Sequence, residues 1–496
     1  MNNFCSSSLQ TTAPLLDALR AAVEQPRAAF HTPGHKRGQG VPENLKLLLG
    51  AAVFEADLPE LPELDNLFAP EGAILQAQIL AAAAFGAEQT WFLANGTTCG
   101  LEAAVLATCN PGDKLILPRN AHQAAIAALI LSGAVPIFVE PAYDFTWGIA
   151  HGLTAAAVAI ALKQHPDARA VMMVYPTYYG ACGEIEAIAQ ITHQHHIPLL
   201  VDEAHGAHFA FHPHLPISAL AAGADITVQS THKVLAALTQ ASMLHVQGSR
   251  IDRQRLSKAL QLVQSTSPSY LLLASLDAAR QQMATQGQAL MSRTLELAGR
   301  ARTQISQISG LSVLQLACST TGCVAFDSTR LTVDVSQIGL TGFEADEILH
   351  QTLGVTAELP GLQHLMFIVT LGNTERDMEL LVKGFKTLAD RLGDQTVKER
   401  GIKKLLPPIF PIAPTSLLLT PRAAFFAKAE TLPIEQTPHR ISAELVCPYP
   451  PGIPILFPGE VVTEGAIAYL QQVIAAGGVI TGCADRYLRT LNVVAA

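Results

Sequence analysis

The stretch VMMVYPTYYGACGEIEAIAQITHQHHIPLLVDEA, residues 171–204, decides the fold class of this protein. It begins with the apolar run VMMVYP and ends with the apolar run PLLVDEA, and both runs have the length of buried strands. Between them, GEIEAIAQITHQHH is typical of a helix that crosses from one strand to the next. This order predicts a parallel sheet covered by helices, so we expect an α/β protein.

The same alternation of apolar runs and Ala-rich stretches continues from about Leu80 to Val246. The predicted strands are WFLAN (91–95), KLILP (114–118), PIFVE (136–140), VMMVYP (171–176), PLLVDEA (198–204) and DITVQS (225–230). The predicted crossover helices are LEAAVLATC (101–109), HQAAIAALILSG (122–133) and GEIEAIAQITHQHH (183–196). We therefore expect one large domain built on a parallel-rich sheet.

The remaining sequence predicts further domains, because 496 residues are too many for one hydrophobic core. Residues 275–309 contain no proline and predict a long helix or a helix pair that leaves the sheet domain, and strand and helix patterns follow it. The charged VKERGIKK (397–404) and the proline-rich LPPIFPIAPT (406–415) mark another boundary. The expected parts are an N-terminal segment (1–50), a large domain (51–285), a small α+β domain (286–395) and a C-terminal domain (396–496).

Composition restricts the class of ligand. Only 15% of the residues are charged, and 32 Lys and Arg against 41 Asp and Glu give a net charge of −9, which argues against a nucleic-acid surface. The eight cysteines show no disulfide or metal spacing, so no metal is expected. The N-terminus does not resemble a signal peptide, and the longest apolar run is short for a membrane span. We expect a soluble cytoplasmic protein with a small ligand and no membrane partner.

Polar groups follow several predicted strands at their carboxyl ends, where parallel sheets bind ligands. The NGTTCG turn, with Thr97 and Thr98, follows a strand and opens a helix, so it could hold a phosphate. Either threonine could equally be an N-cap. Ser230 follows another strand.

Three further residues could carry chemistry. Asp202 ends an apolar strand, where an unpaired carboxylate is costly, so it should have a cationic partner; a structural ion pair is the alternative. Lys233 precedes the apolar VLAAL, and a desolvated lysine loses its proton readily and can form a Schiff base, whereas most lysines are surface charges. His122 could stack on a flat ring or simply be hydrogen bonded. A phosphate cradle, a carboxylate, a histidine and such a lysine together form the set that pyridoxal phosphate requires.

The sequence also resembles a known family. Ser230, His232 and Lys233, followed by TQAS (239–242), resemble the pyridoxal-phosphate attachment signature of the ornithine/lysine/arginine decarboxylases. Further matching segments occur in the same order: FHTPGHKRG (30–38), FGAEQTWFLANGTT (85–98), PGDKLILPRNAH (111–122), YPTYYG (175–180), VDEAHGAH (201–208), TSPSYLLLASLDAAR (266–280) and CPYPPGIPILFPGE (447–460). The resemblance covers almost the whole chain and is strongest to the short bacterial biosynthetic form.

The resemblance implies an aspartate-aminotransferase-like fold, fold type I, and a role for each matching residue. Lys233 would attach the cofactor, Asp202 would keep the ring nitrogen protonated, His122 would stack on the ring face and His205 would lie near the ring. The phosphate would be held by Thr97, Thr98 and Ser230. Thr266 or Ser267 would reach the phosphate of the neighbouring subunit, so the resemblance implies a homodimer or higher homo-oligomer with shared active sites.

The implied reaction is decarboxylation of a basic L-amino acid in polyamine biosynthesis, with Lys233 or His232 returning a proton to Cα. The short form implies arginine, giving agmatine; lysine, giving cadaverine, and ornithine, giving putrescine, remain open. Glu358, Glu444 and Glu460 are candidates for binding the substrate's distal cation, although each could be a structural salt bridge or cap.

Two other functions remain possible. A fold type I aminotransferase should have an arginine for the α-carboxylate and lack this signature. A non-catalytic cofactor-binding regulator should lose a reactive group.

Overall fold

The computed structural model describes residues 9–317, 320–393, 417–449 and 452–495. The helices are α1 (Pro14–Glu24), α2 (Glu43–Leu49), α3 (Ala51–Ala56), α4 (Ala73–Phe85), α5 (Gly96–Thr108), α6 (Gln123–Ser132), α7 (Ala155–Gln164), α8 (Ile185–Gln194), α9 (Thr231–Val234), α10 (Arg253–Val263), α11 (Tyr270–Ser306), α12 (Gly342–Thr352), α13 (Glu375–Gly393), α14 (Pro421–Phe426) and α15 (Glu464–Ala475). Among the helices of these ranges, none is long and apolar enough to cross a membrane.

The strands, in chain order, alternate with the helices in the first half of the chain. They are β1 (Gln89–Leu93), β2 (Lys114–Pro118), β3 (Val135–Val139), β4 (Tyr143–Asp144), β5 (Ile149–Ala150), β6 (Ala168–Val174), β7 (Ala181–Cys182), β8 (Leu199–Asp202), β9 (Ile226–Gln229), β10 (Ser242–Val246), β11 (Ser312–Val313), β12 (Ala325–Phe326), β13 (Arg330–Asp334), β14 (Leu359–Pro360), β15 (His364–Ile368), β16 (Ala429–Pro433), β17 (Cys447–Tyr449), β18 (Val479–Thr481) and β19 (Thr490–Val494). The chain divides into two compact units, one of Met1–Thr108 and Leu200–Met291 and the other of Cys109–Leu199 and Ser292–Ala496.

In the first unit, four strands lie side by side in the order β1-β10-β9-β8. β8 and β9 are parallel, with Asp202 opposite Val228. β10 runs antiparallel to both of its neighbours. It is a fully buried strand that the sequence pattern did not predict. Between β9 and β10 the only helix is the four-residue α9, so no crossover helix covers the sheet here, and the strand returns in the opposite direction.

Helix α5 packs directly on this sheet. A Cβ atom at Gly100 would lie 2.5 Å from Val228 Cγ1 and 2.7 Å from Leu93 Cδ1, so only glycine permits this close approach. The helix starts at Gly96, whose φ of +76° allows the sharp turn that follows β1. The N-terminus of α5 is therefore fixed at the carboxyl end of β1.

The second unit contains three parallel strands in the order β6-β2-β3 and a separate antiparallel sheet in the order β11-β13-β15-β14. Helices α12 and α13 contribute Leu349 and Phe385 to the core of the antiparallel sheet, where they join Leu331 and Leu365. The last part of the chain forms the pairs β16–β19 and β17–β18, and α15 shares a core with them.

The six predicted strands and three predicted crossover helices are confirmed, with shifts of a few residues at their ends. The predicted long helix is one continuous helix, α11, and it begins earlier, at Tyr270. The boundary expected at residues 397–415 lies outside the described residues.

Candidate active site

Lys233 lies in the short helix α9, which follows β9 after Ser230. The next two residues, Val234 and Leu235, are buried, so the turn leads into the interior as the sequence predicts. The Lys233 side chain is half-buried, and its Nζ atom is 3.1 Å from Nε2 of His205. His205 is itself only 6% exposed. Lys233 is therefore half-buried beside a buried histidine rather than fully solvated at the surface.

Asp202 ends β8 and is 7% exposed. Its Oδ1 accepts a hydrogen bond of 3.1 Å from the backbone N–H of Ala204. Burial raises the pKa of the Asp202 carboxyl, and the positive charge of Lys233 acts in the opposite direction. Because the effect of burial is the larger one, the ionised carboxylate would be stabilised by a further positive group. The structure brings Asp202, His205 and Lys233 together.

Three buried hydroxyl groups meet at the N-terminal end of α5. Thr97 Oγ1 lies 2.6 Å from Ser230 Oγ and donates to Ser242 Oγ at 3.3 Å. Thr98, in the same first turn, is exposed. Hydroxyl groups beside the backbone N–H groups of a helix N-terminus are suited to a phosphate. Ser242 was not singled out from the sequence, although it is the last residue of the TQAS string.

The loop between α10 and α11 lies next to the NGTT turn of the same chain. Gln264 Oε1 accepts from the backbone N–H of Ala94 at 2.9 Å, and Asn95 Oδ1 accepts from that of Ser265 at 3.3 Å. Thr266 and Ser267, which follow directly, are exposed. Their side chains are thus presented at the surface of the first unit.

His232, beside Lys233, is half-buried. Its Nδ1 lies 2.9 Å from the carbonyl oxygen of Ala241, and its backbone N–H donates to the same oxygen at 3.2 Å. A carbonyl oxygen only accepts, so Nδ1 carries the proton and donates it. The imidazole is therefore held in one tautomer.

A buried network of hydrogen-bonded polar side chains runs across the four strands of the first unit. Glu203 accepts from the backbone N–H of Ala219 at 2.7 Å and from Gln229 Nε2 at 2.8 Å. Gln229 Oε1 is 3.1 Å from His245 Nε2, and His245 Nδ1 is 2.8 Å from Thr90 Oγ1. Burial raises the pKa of Glu203 to about 8 and lowers the pKa of His245 to about 3. The sequence analysis did not predict this hydrogen-bonded network. The only sign of it in the sequence is that polar residues interrupt apolar strands.

His122 belongs to the second unit, where it is the N-cap of α6. Its Nδ1 accepts from the backbone N–H of Ala124 at 3.2 Å. Gly452 lies on the other side of the ring. If it carried a Cβ atom, that atom would be only 2.9 Å from His122 Nε2. The ring is thus fixed by its own helix and by the C-terminal part of the chain.

Two of the acidic candidates differ in their surroundings. Glu358 is exposed, and its Oε1 accepts a hydrogen bond from the Tyr178 hydroxyl. Glu444 accepts from the backbone N–H of Ala484 at 2.8 Å, and from the backbone and side chain of Asn492 at 2.9 and 2.8 Å. Both carboxylate oxygens of Glu444 are therefore used within the C-terminal part of the chain.

The third acidic candidate, Glu460, is fully buried. Its Oε2 forms an ion pair of 3.0 Å with Arg119 Nη2 and accepts from the backbone N–H of Phe457 at 3.2 Å. Arg119 is only 4% exposed. Sequence reasoning missed Arg119, because its partner is 341 positions away along the chain.

Comparisons with known proteins agree with the resemblance around Lys233. A family model described as Orn/Lys/Arg decarboxylase, major domain, matches residues 13–330, and one described as Orn/Lys/Arg decarboxylase, C-terminal domain, matches residues 415–483. An arginine decarboxylase of Bacillus subtilis is 39% identical over 486 residues, which are 98% of this chain and 98% of that protein.

Solved structures of other proteins share the fold of this chain. The crystal structure of a lysine decarboxylase of Francisella novicida has a TM-score of 0.82 at 22% identity, over 98% of this chain and 82% of that one. An alanine–glyoxylate aminotransferase of Nostoc has a TM-score of 0.51 at 18% identity, over 64% of this chain and 86% of that one. The expected α/β fold of type I is confirmed. This chain belongs to the Orn/Lys/Arg decarboxylase family.

Proposed function

We propose that this protein is a pyridoxal-phosphate-dependent decarboxylase that converts arginine to agmatine and CO2. The observation that carries the proposal is the half-buried position of Lys233, with Nζ 3.1 Å from His205 and its charge acting on the buried Asp202. The name of the Bacillus subtilis relative supports arginine as the substrate. Lysine, giving cadaverine, or ornithine, giving putrescine, is the alternative.

The residues of the first unit fit pyridoxal phosphate. Burial raises the pKa of the Asp202 carboxyl, so this group gains from a protonated pyridine nitrogen beside it. The Thr97 and Ser230 hydroxyls and the backbone of α5 supply donors for a phosphate, and Thr98 adds a third hydroxyl. Lys233 would attach the cofactor covalently.

Two histidines complete the proposed set, in which His122 stacks on the ring and His205 lies near it. When bound, the cofactor supplies an electron sink that lets the Cα–carboxylate bond break. Lys233 or His232 would then return a proton to Cα. Since His232 donates from Nδ1 to the Ala241 carbonyl, its Nε2 would give up the proton, and the ring would have to be doubly protonated before this step.

We propose Glu358 as the residue that binds the distal cation of the substrate. The carboxylates of Glu444 and Glu460 already bind groups of this chain, as described above. Glu358 is exposed, and the hydroxyl of Tyr178 orients its carboxylate. A carboxylate with two oxygens can receive a planar guanidinium in a bidentate manner, which favours arginine over a point-like ammonium.

We also propose a homodimer with shared active sites in the cytoplasm, in which Thr266 or Ser267 reaches the partner's phosphate. Both residues are exposed. Helix α2 has the sequence ENLKLLL and no buried residue, and its Leu47 and Leu48 are 77% and 78% exposed. An apolar helix face that the described part of its own chain leaves uncovered favours burial against a second copy. The four-part division of the chain into domains remains our proposal.

The test is to incubate the purified protein and pyridoxal phosphate with arginine, lysine or ornithine, and to measure CO2 and the amine formed. We expect CO2 and agmatine from arginine. Release of CO2 from lysine or ornithine alone would refute arginine as the substrate, and no CO2 from any of the three would refute the decarboxylase. Lys233→Ala is the matched control, because it should lose both CO2 release and the borohydride-reducible visible absorption.

A further inference from the structure

Residues 452–460, here called the C-terminal strap, are joined to the segment that carries His122. The guanidinium of Arg119 donates to the carbonyl oxygens of Pro454 and Ile455, each at 2.9 Å. It also forms the buried ion pair with Glu460 and lies over the Phe457 ring, 5.0 Å from its centroid. Because Arg119 is three positions before His122, these contacts hold the strap beside the start of α6.

At the start of α6 the strap contacts His122 itself. The backbone N–H of Gln123, the first residue of the helix, donates to the carbonyl oxygen of Gly452 at 3.0 Å. A Cβ atom at Gly452 would lie 2.9 Å from Nε2 and 3.1 Å from Cδ2 of His122, so the imidazole rests against the bare Cα. Gly452 also has a φ of +84°, which other residues rarely adopt.

The other end of α6 is held by the same C-terminal part of the chain. Arg422, in the first turn of α14, donates from Nη1 to the carbonyl oxygens of Ile130 and Leu131, each at 2.9 Å. These are among the last carbonyls of α6, which have no partner within the helix. The helix that presents His122 is thus fixed at both ends by residues that follow position 420.

We propose that the C-terminal strap positions the imidazole of His122, with Gly452 as the positioning residue. The inference rests on the proposed function, in which His122 stacks on the cofactor ring. The helix holds the His122 imidazole through Nδ1, and a contact on the far side of the ring limits rotation about its side-chain bonds. Gly452 provides that contact on the Nε2 side. The C-terminal strap would therefore act on the bound cofactor only through the imidazole of His122.

The test compares Gly452→Ala with Gly477→Ala. Both glycines have positive φ, +84° and +95°, but a Cβ atom at Gly477 would meet only Phe343 Cβ at an ordinary 3.8 Å. The two changes thus add similar backbone strain, and only the first displaces His122. We expect Gly452→Ala to lower kcat/KM on the order of tenfold to a hundredfold and to change the circular dichroism of the cofactor's visible band. Gly477→Ala should change neither.

A double-mutant cycle with His122→Gln separates positioning from general damage. If Gly452 acts through His122, then Gly452→Ala should have no further effect on the visible band or on kcat/KM in the His122→Gln background. Additive effects, or equal effects of the two glycine changes, would overturn the positioning role. A parent protein without a visible band would instead refute the proposed function, and the positioning role with it. If thermal unfolding shows that Gly452→Ala does not fold, Gly452→Asn and Gly477→Asn replace the pair, because asparagine tolerates positive φ better.

Discussion

Glu460→Gln should destabilise the protein strongly, because it removes the ion-pair partner of the buried Arg119 charge. The two side chains are 3% and 1% exposed, so water cannot solvate the guanidinium that remains. Removing one partner of a buried pair costs about 3–5 kcal/mol. Arg119 keeps its bonds to two backbone carbonyls, and glutamine retains an oxygen, so we expect the lower end, about 3 kcal/mol.

Urea unfolding followed by circular dichroism measures this change as a shift of the midpoint. The control is Glu375→Gln, which breaks an ion pair of the same type with Arg300 at the surface, where the two side chains are 49% and 70% exposed. That variant should unfold at the parent's midpoint within error. The reasoning would be refuted if Glu460→Gln shifted the midpoint no more than the surface control. Addition of Arg119→Met should recover part of the loss, because no buried charge then remains.

The remaining predictions concern the first unit. Because burial raises the pKa of Glu203 from 4.5 to about 8, its stabilising contribution is complete below about pH 4.5 and is lost as the pH rises through 8. Glu203→Gln cannot titrate, so its thermal unfolding midpoint should fall less than the parent's between about pH 5 and about pH 8.5; parallel curves would contradict this. Gly100→Ala should cost about 1–3 kcal/mol in urea unfolding, because its methyl group would lie 2.5 Å from Val228 Cγ1. Gly299→Ala in α11, with nothing within 4 Å, should be neutral or stabilising; equal effects of the two glycine changes would show that packing is not the cause.

Periodicity predicted the parallel strands well but missed β10. The run SMLHV is short and contains a histidine. It also begins within the TQAS string, which is part of the cofactor-attachment signature. Its antiparallel direction goes with the absence of a crossover helix between β9 and β10, which a pattern of apolar residues does not encode. The position of His245 within it also depends on partners from two other strands.

The structure brings together the candidate site residues that lie at the ends of strands, and their roles stay predictions. Lys233, Asp202, Ser230 and Thr97 follow strands that the sequence predicts, and they lie together in the first unit. The acidic candidates were chosen from matching segments alone, and only their contacts distinguish the exposed Glu358 from the engaged carboxylates.

By itself, the sequence determined the α/β class and the family and predicted Lys233 as the cofactor lysine, because strand periodicity and a local signature are properties of consecutive residues. Only the tertiary structure decided which side chains touch. Arg119 meets Glu460 across 341 positions, and Gly452 meets His122 across a similar separation. Such contacts depend on how the chain returns in space, since burial and ion pairing act over a few ångströms whatever the distance along the sequence. In the sequence alone nothing marks Gly452 or Arg119 as important, because their partners are identified only in the folded structure.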